Sequence, residues 1–259
     1  MELKEMLEAY AKVPELSSFK NPLFVGPHPD DIEFGCGALI SKMKNNGANI
    51  HFLIVTDGAA GTDDPNLSPA KLKDIREREA RKAASFLGAS SIDFIGLEDG
   101  GTYTVQDVTR EVCPYILKYM PDIIFTVDPM LKSETHPDHL KVGEGVRRTL
   151  QMVGFKETLR RNGVNTDGIK EFPRNIYLAY YFSDDPNTYV EINEENLNDK
   201  FSSLMIHESQ LNNDSLKILI EYFKLKAAID GAKSGYNLAE SYLVISPNLN
   251  HVYSLGLHN

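Results

Sequence analysis

Two short motifs in this 259-residue sequence combine histidine with aspartate, the side chains best suited to binding metals and moving protons. The first is PHPDDIEFGCGAL at Pro27–Leu39, and the second is THPDHLKVG at Thr135–Gly143. Together they supply three histidines and three aspartates, which are His28, His136, His139, Asp30, Asp31 and Asp138. A catalytic zinc ion takes three protein ligands of this kind and leaves a fourth position open to water. The motifs therefore predict a metal centre that activates water.

The positions within the motifs suggest different roles for these side chains. His28 and Asp31 are three residues apart, so a turn can aim both at one point, and His139 can complete the trio. Asp30 lies between two of these candidate ligands and points elsewhere. A carboxylate placed there could act as general base on a water that zinc has acidified.

A turn without metal is the alternative for the first motif. In that interpretation the aspartate side chains accept hydrogen bonds from backbone amides and cap a helix. The second motif contains the same residue types and follows another predicted strand, which favours the metal site.

Short apolar runs alternate with longer amphipathic stretches between residues 21 and 150. The runs that predict buried strands are Leu23–Pro27, Ile50–Thr56, Ile92–Ile95 and Ile123–Val127. The stretches with helical spacing are Gly37–Asn46, Pro69–Leu87, Val105–Met120 and Asp138–Leu150. Strands joined by such crossovers form a mostly parallel, Rossmann-like sheet with helices on both faces. We expect a core of strand order 3-2-1-4, in which His28 and His136 meet beyond the carboxyl ends of neighbouring strands.

The C-terminal part is less regular. Its pattern predicts a loop at Lys156–Arg174. It predicts strands at Ile176–Phe182 and Ser241–Ile245, and helices at Glu194–Gln210 and Ser215–Ile229. We find no internal repeat or linker, so we expect one α/β domain over residues 1–259.

Composition and charge exclude several classes of partner. The 37 acidic residues outnumber the 27 basic ones and give a net charge of −10, which argues against nucleic acid and anionic membranes. No apolar run approaches the ~18 residues that a membrane span requires. The two cysteines, Cys36 and Cys113, cannot form a disulfide framework and are typical of a cytoplasmic protein.

The sequence resembles the PIG-L/LmbE-like family of zinc-dependent N-acetylglucosamine deacetylases. The two His-Pro-Asp motifs carry most of the resemblance. Weaker landmarks are TDGAAGT at Thr56–Thr62, the pair Arg76 and Glu79, HESQ at His207–Gln210 and AESY at Ala239–Tyr242. The stretches TDGAAGTDDPNLS and DPMLKSETHPDH look most similar to the diacetylchitobiose deacetylase branch.

Carried over residue by residue, the resemblance implies a role for each member of the set. It implies His28, Asp31 and His139 as zinc ligands and Asp30 as general base. His136 would stabilise the tetrahedral intermediate and is a candidate for protonating the leaving amine, with Asp138 holding its imidazole. Arg76 would bind sugar hydroxyls. We expect one zinc ion per chain, because only one trio of ligands is apparent, with another divalent metal as the alternative.

The expected function is removal of the N-acetyl group from an N-acetylglucosamine-type sugar such as diacetylchitobiose. The alternatives are an amidase acting on a thiol-linked glucosaminide and a non-catalytic sugar- or metal-binding protein. Asp30 argues against the last, because a binding module has no use for a carboxylate that is not a ligand. Asp57, at the end of the second strand, is interpreted either as a substrate contact or as a cap of its own loop. The resemblance also implies a homo-oligomer, with a hexamer as one form.

Overall fold

Seven strands form one sheet in the computed structural model, which describes residues 12–249. The strands are β1 (Pro22–Gly26), β2 (His51–Thr56), β3 (Ser91–Leu97), β4 (Ile123–Val127), β5 (Tyr177–Tyr181), β6 (Thr188–Glu191) and β7 (Ala239–Ile245). Their order is β3-β2-β1-β4-β5-β7-β6. The pairs from β3 to β5 are parallel, whereas β7 runs antiparallel to both β5 and β6. The predicted 3-2-1-4 core is confirmed.

Helices cover both faces of the sheet. They are α1 (Asp31–Asn45), α2 (Pro69–Phe86), α3 (Val105–Tyr119), α4 (Pro137–Thr149), α5 (Lys156–Arg161), α6 (Glu194–Leu204) and α7 (Asn213–Ser234). Successive strand residues point to opposite faces, so each face has its own apolar cluster. Phe24 of β1 packs in one cluster with Leu39 of α1, and Val25 packs in the other with Val108 of α3 and Val142 of α4.

Several element boundaries differ from the predictions. Helix α1 begins at Asp31, six residues before the predicted Gly37, because the first motif turns directly into the helix. The predicted loop Lys156–Arg174 contains the short helix α5. Strand β6 was not predicted, since TYVE is only four residues long. The helix predicted to reach Gln210 ends at Leu204.

The parallel core brings the two motifs to one edge of the sheet. Strands β1 and β4 are paired, with Phe24 aligned with Phe125, so the segments after Gly26 and Val127 leave the sheet side by side. Within the described residues, no helix combines the length and the apolar character that a membrane crossing requires. The ends of the predicted domain, residues 1–11 and 250–259, lie outside the described part.

Candidate metal and catalytic site

The three predicted metal ligands lie together beyond the ends of β1 and β4. Asp31 Oδ2 is 3.1 Å from His28 Nδ1, and Asp31 Oδ1 is 3.4 Å from His139 Nε2. Each residue offers one ligand atom, and these atoms all lie within 4.8 Å of one another. The described residues therefore contain a His/Asp group that could bind a metal.

Local structure fixes the ligand from each motif. Asp31 is the first residue of α1, and its Oδ2 accepts the backbone N–H of His28 at 2.7 Å. In the second motif Pro137 occupies the first turn of α4, where its missing N–H costs no hydrogen bond. His139 follows within that turn. Both ligand-bearing segments are thus helix N-termini that are held by their own backbone.

Carboxylates surround the far side of the His28 ring. Its Nε2 is 3.2 Å from Asp99 Oδ1 and 3.3 Å from Asp138 Oδ2. Burial lowers the pKa of His28, but hydrogen bonds to Asp138, Asp31 and Asp99 outweigh it and raise the pKa to about 12. Burial likewise raises the pKa of Asp31, but His139 and His28 outweigh it and lower that pKa. A site in which buried carboxylates draw positive charge this strongly fits a divalent cation.

Sequence reasoning missed Asp99. This residue follows β3, and its Oδ2 accepts the N–H of Ala60 at 3.0 Å while its Oδ1 faces His28. An acidic residue beyond the carboxyl end of a third parallel strand was the signal that could have found it. It stands in an Asp-Gly-Gly turn, which reads as an ordinary loop.

Asp138 and His136 lie in one group of residues, but no hydrogen bond between their side chains is present in the described part of the chain. The Asp138 carboxylate accepts the N–H of Gly100 at 2.8 Å and faces His28, not the ring of His136. His136 caps α4, and its Nδ1 accepts the backbone N–H of Asp138 at 3.3 Å. The reason is the start of α4, where the cap turns the His136 ring toward the helix backbone and the Asp138 side chain toward β1.

His136 is the exposed member of the site. Its ring lies edge-on to the His28 ring, with centroids 4.7 Å apart. Burial and the positive charges of His28 and His139 lower its pKa, which favours the neutral imidazole. Because Nδ1 accepts a hydrogen bond, the neutral ring carries its proton on Nε2. His136 can therefore donate a hydrogen bond from Nε2.

Asp30 does not belong to the group formed by His28, Asp31 and His139, and its carboxylate pairs with Arg76. Its Oδ1 accepts a hydrogen bond from Arg76 Nη2 at 3.0 Å. The same guanidinium donates from Nη1 to the carbonyl of Gly58 at 3.1 Å, and Arg76 is only 4% exposed. Arg76 was predicted to meet sugar hydroxyls, with a solvated helix face as its alternative. The solvated face is wrong, and the guanidinium is committed to Asp30 and a backbone carbonyl.

Asp57 shows the geometry of a loop cap. Its Oδ1 accepts the backbone N–H groups of Ala59 at 3.1 Å and Asp99 at 3.2 Å. This links the loops after β2 and β3. The substrate contact that was the other interpretation stays a prediction.

The weaker sequence landmarks line the back of the site. Ser209 of HESQ donates to Glu79 through its N–H and its hydroxyl, at 2.9 and 2.6 Å. Gln210 Nε2 donates to the carbonyl of Gly61 at 3.2 Å. His207 is fully buried, 3.5 Å from Glu33 of α1. The HESQ segment thus joins α1, α2 and the loop after β2 into one wall.

The chain is similar in sequence to known deacetylases. Residues 23–150 match the family model described as PIG-L: GlcNAc-PI de-N-acetylase. Diacetylchitobiose deacetylase from Thermococcus kodakarensis is 29% identical over 224 residues, 85% of this chain and 81% of that protein. An uncharacterized deacetylase from Escherichia coli is 27% identical over 193 residues, 73% of this chain and 91% of that protein.

A solved structure confirms the fold. N,N'-diacetylchitobiose deacetylase from Pyrococcus horikoshii, in complex with an inhibitor, matches with a TM-score of 0.88 and 24% identity. The match covers 99% of this chain and 97% of the other. The chain is therefore similar to the PIG-L family in sequence over residues 23–150, and it shares the fold of a diacetylchitobiose deacetylase over nearly its whole length.

Proposed function

We propose that this protein is a metal-dependent N-deacetylase that hydrolyses the acetyl amide of an N-acetylglucosamine-type sugar, with diacetylchitobiose as the expected substrate. The observation that carries the proposal is the divergence of two adjacent aspartates. Asp31 joins His28 and His139, whereas Asp30 turns to Arg76. Removal of an N-acetyl group is the reaction class of the similar proteins, which are deacetylases.

His28, Asp31 and His139 would hold the metal, and we propose zinc, one ion per chain, with another divalent ion as the alternative. A zinc ion at these residues supplies Lewis acidity, which polarises a carbonyl and lowers the pKa of a water to about 7. A second group of His28, Asp99, His136 and Asp138 also has metal-binding residue types. Because both groups use His28, a single ion per chain is the simpler occupancy.

Asp30 is the proposed proton carrier. Arg76 engages Oδ1, and Oδ2 has no hydrogen-bond partner among the described residues. Asp30 Oδ2 would take a proton from the attacking water as the water oxygen bonds to the acetyl carbon. The same oxygen would then return the proton to the amine nitrogen as the C–N bond breaks, so that acetate and a free amino sugar leave.

His136 would stabilise the negative charge that develops on the acetyl oxygen. Its Nε2–H is the available donor because Nδ1 is held by the α4 backbone. A donor aimed at developing charge commonly contributes ~3 kcal/mol to transition-state stability. The mechanism needs only this hydrogen bond from His136, since Asp30 can carry the proton to the amine.

The cationic side chains at the site favour a neutral substrate. Arg76 is committed to Asp30 and Gly58, and Lys141 donates to the carbonyl of Gly101 at 2.8 Å. Arg76 in particular is buried and engaged through both terminal nitrogens, so it is not available to a phosphate or carboxylate of a substrate. We therefore propose a neutral glycan in preference to an anionic glucosaminide.

The test is the release of acetate and primary amine from a panel of sugars, with metal-loaded and chelator-treated protein. The panel contains N-acetylglucosamine, diacetylchitobiose, a thiol-linked glucosaminide and a glucosaminide with a carboxylate aglycone. We expect the highest kcat/KM for diacetylchitobiose and loss of activity with chelator. Preference for a thiol-linked or anionic sugar would favour the amidase alternative. Binding of sugar without acetate release would favour the non-catalytic one.

Domain organisation, assembly and location complete the proposal. We propose one domain because strands from residue 22 to residue 245 share a single sheet. The buried, unpaired thiols Cys36 and Cys113 support a cytoplasmic location. Self-association is supported by α7, whose outer side carries four exposed apolar residues, Ile218, Tyr222, Leu225 and Ile229.

A further inference from the structure

One carboxylate joins the two histidines of the second motif. Glu134 lies in the loop between β4 and α4, and its side chain is 16% exposed. Its Oε2 is 2.7 Å from His139 Nδ1, and its Oε1 accepts the backbone N–H of His136 at 2.7 Å. Both carboxylate oxygens are therefore engaged with the motif that carries a proposed metal ligand.

The ring of His139 has a different partner at each nitrogen. Nε2 faces Asp31 and the proposed metal position, whereas Nδ1 faces Glu134. An imidazole binds a metal through an unprotonated nitrogen, so its other nitrogen carries the proton. A carboxylate that accepts this proton in a hydrogen bond fixes both the tautomer and the ring orientation, and makes the ligand more basic.

We propose that Glu134 is the positioning residue of the metal site, which holds His139 with Nε2 unprotonated and directed at the ion. This inference rests on the proposed function, because it requires a metal at His28, Asp31 and His139. Glu134 acts through His139 and takes no part in the bond changes. Its bond to the His136 backbone also fixes the start of α4.

The two proposed histidine ligands differ in the number of carboxylates near their second ring nitrogen. His28 Nε2 has two carboxylates in reach, Asp99 at 3.2 Å and Asp138 at 3.3 Å. His139 Nδ1 has only Glu134 among the described residues. Loss of one carboxylate at His28 leaves a substitute, but loss of Glu134 leaves none. Glu134→Gln should therefore weaken metal binding more than Asp99→Asn does.

The experiment measures the Kd of Zn²⁺ by competition with a chromophoric chelator, using metal-free wild-type protein and variants. We expect Glu134→Gln to bind Zn²⁺ about 10–100-fold more weakly, the usual effect of losing such a partner. At saturating Zn²⁺ its kcat should fall much less than its Zn²⁺ affinity, because Glu134 acts through the ligand and not on the substrate. The matched control is Glu144→Gln, which removes a similarly covered carboxylate, 21% exposed, that pairs with Arg147 and Arg148 of α4. It should leave the Kd unchanged.

Each outcome decides the proposal. Wild-type Zn²⁺ affinity in Glu134→Gln would overturn it, and so would a 100-fold loss of kcat in fully loaded protein, which would place Glu134 in the chemistry. If Glu134→Gln fails to fold, Glu134→Asp replaces it, because the shorter side chain keeps the charge but lies farther from His139. Its Kd for Zn²⁺ should lie between those expected for wild type and Glu134→Gln. A wild-type Kd for Zn²⁺ in Glu134→Asp would again overturn the proposal. The variant Asp31→Asn separates a failure of the proposed metal site from a failure of the role proposed for Glu134. If that variant binds Zn²⁺ as wild type does, the proposed metal site itself fails.

Discussion

Asp30 and Asp31 are adjacent in the chain, yet the backbone sends their side chains to different partners. Asp30 is the N-cap of α1, with φ −127° and ψ −13°, and Asp31 is the first helical residue. The change in backbone conformation between them turns one carboxylate to Arg76 and the other to the two histidines. Identical residue types thereby contact different partners.

The first prediction separates these two aspartates. Asp31→Asn removes an anionic ligand, so Zn²⁺ affinity should fall steeply. Asp30→Asn keeps the shape but removes the base, so zinc should stay bound while kcat falls about 10²–10⁴-fold. Metal analysis after dialysis and steady-state kinetics measure the two effects. If zinc is lost from Asp30→Asn and kept by Asp31→Asn, the two roles are reversed.

The second prediction concerns Arg76, which the structure places against Asp30 instead of open solvent. Arg76→Ala leaves the buried Asp30 carboxylate without its partner, so kcat should fall more than KM rises, at unchanged zinc content. Arg76→Lys keeps the charge but loses the second donor and should retain part of kcat. A rise in KM with unchanged kcat would instead favour a direct contact of Arg76 with sugar hydroxyls, as the sequence predicted.

At the residue scale, the sequence predicted those side chains that repeat in a motif. His28, Asp31 and His139 were predicted to lie together because two similar motifs follow two strands, and the structure places their ligand atoms within 4.8 Å of one another. Asp99 was missed because its turn resembles any Asp-Gly-Gly loop. The partner of Asp138 could not be predicted, since its direction depends on the exact start of α4.

At the element scale, a buried ion pair holds α1 against the C-terminal part of the sheet. Glu240 of β7 accepts Lys200 Nζ at 2.7 Å through Oε1, and its Oε2 accepts the backbone N–H of Leu39 at 2.8 Å. The side chains of Lys200 and Glu240 are 4% and 9% exposed. This role belongs to the AESY landmark, and it fixes the helix that begins with Asp31.

The third prediction follows from this pair. Glu240→Gln leaves the Lys200 charge buried without a counter-charge, which should lower the free energy of unfolding by ~3 kcal/mol. Urea denaturation of metal-free protein measures the change. Glu221→Gln is the matched control, because its pair with Lys224 is exposed and should be worth less than ~1 kcal/mol. Equal stability of the two variants would contradict the structural role of Glu240.

Continuous apolar patterns predicted the bounds of strands and helices well. Short segments and segments that run directly from a turn into a helix were predicted poorly. Strand β4 was predicted to the residue at Ile123–Val127. The start of α1 was missed because Asp31–Phe34 is polar at its beginning and follows a proline-containing turn. Strand β6 has too few residues for an alternating pattern, and only pairing with β7 stabilises it.

At the scale of the whole molecule, helix α7 is apolar on two sides. Its inner side packs Phe223 and Ala227 against α6, in a cluster that includes Phe201. On its outer side, Ile218, Tyr222, Leu225 and Ile229 are 72%, 55%, 61% and 43% exposed. Their spacing of four, three and four residues is that of a coiled-coil seam, which suits pairing of identical helices.

The fourth prediction is that this outer side of α7 mediates self-association. Wild-type protein should sediment as an oligomer, and the double variant Ile218→Glu with Leu225→Glu should shift toward a 29.0 kDa monomer. Phe155→Glu is the control, because Phe155 is 60% exposed but lies just before α5. A monomeric wild type would contradict self-association, and an oligomer that survives the double variant would place the interface elsewhere.

The overall topology was predictable only where the chain alternates regularly. Strand–helix alternation up to residue 150 has few solutions, so the order 3-2-1-4 followed. The order β5-β7-β6 was not predicted, because antiparallel pairing after an irregular segment depends on contacts between distant residues that periodicity does not reveal.

The central claim is amide hydrolysis of an N-acetylated sugar, and the most direct test is a reaction of zinc-loaded protein with diacetylchitobiose in ¹⁸O-labelled water. Attack of water on the acetyl carbon puts one labelled oxygen into each acetate and leaves one free amine. The account predicts labelled acetate and amine in equal amounts. Absence of acetate, or acetate without the label, would contradict it.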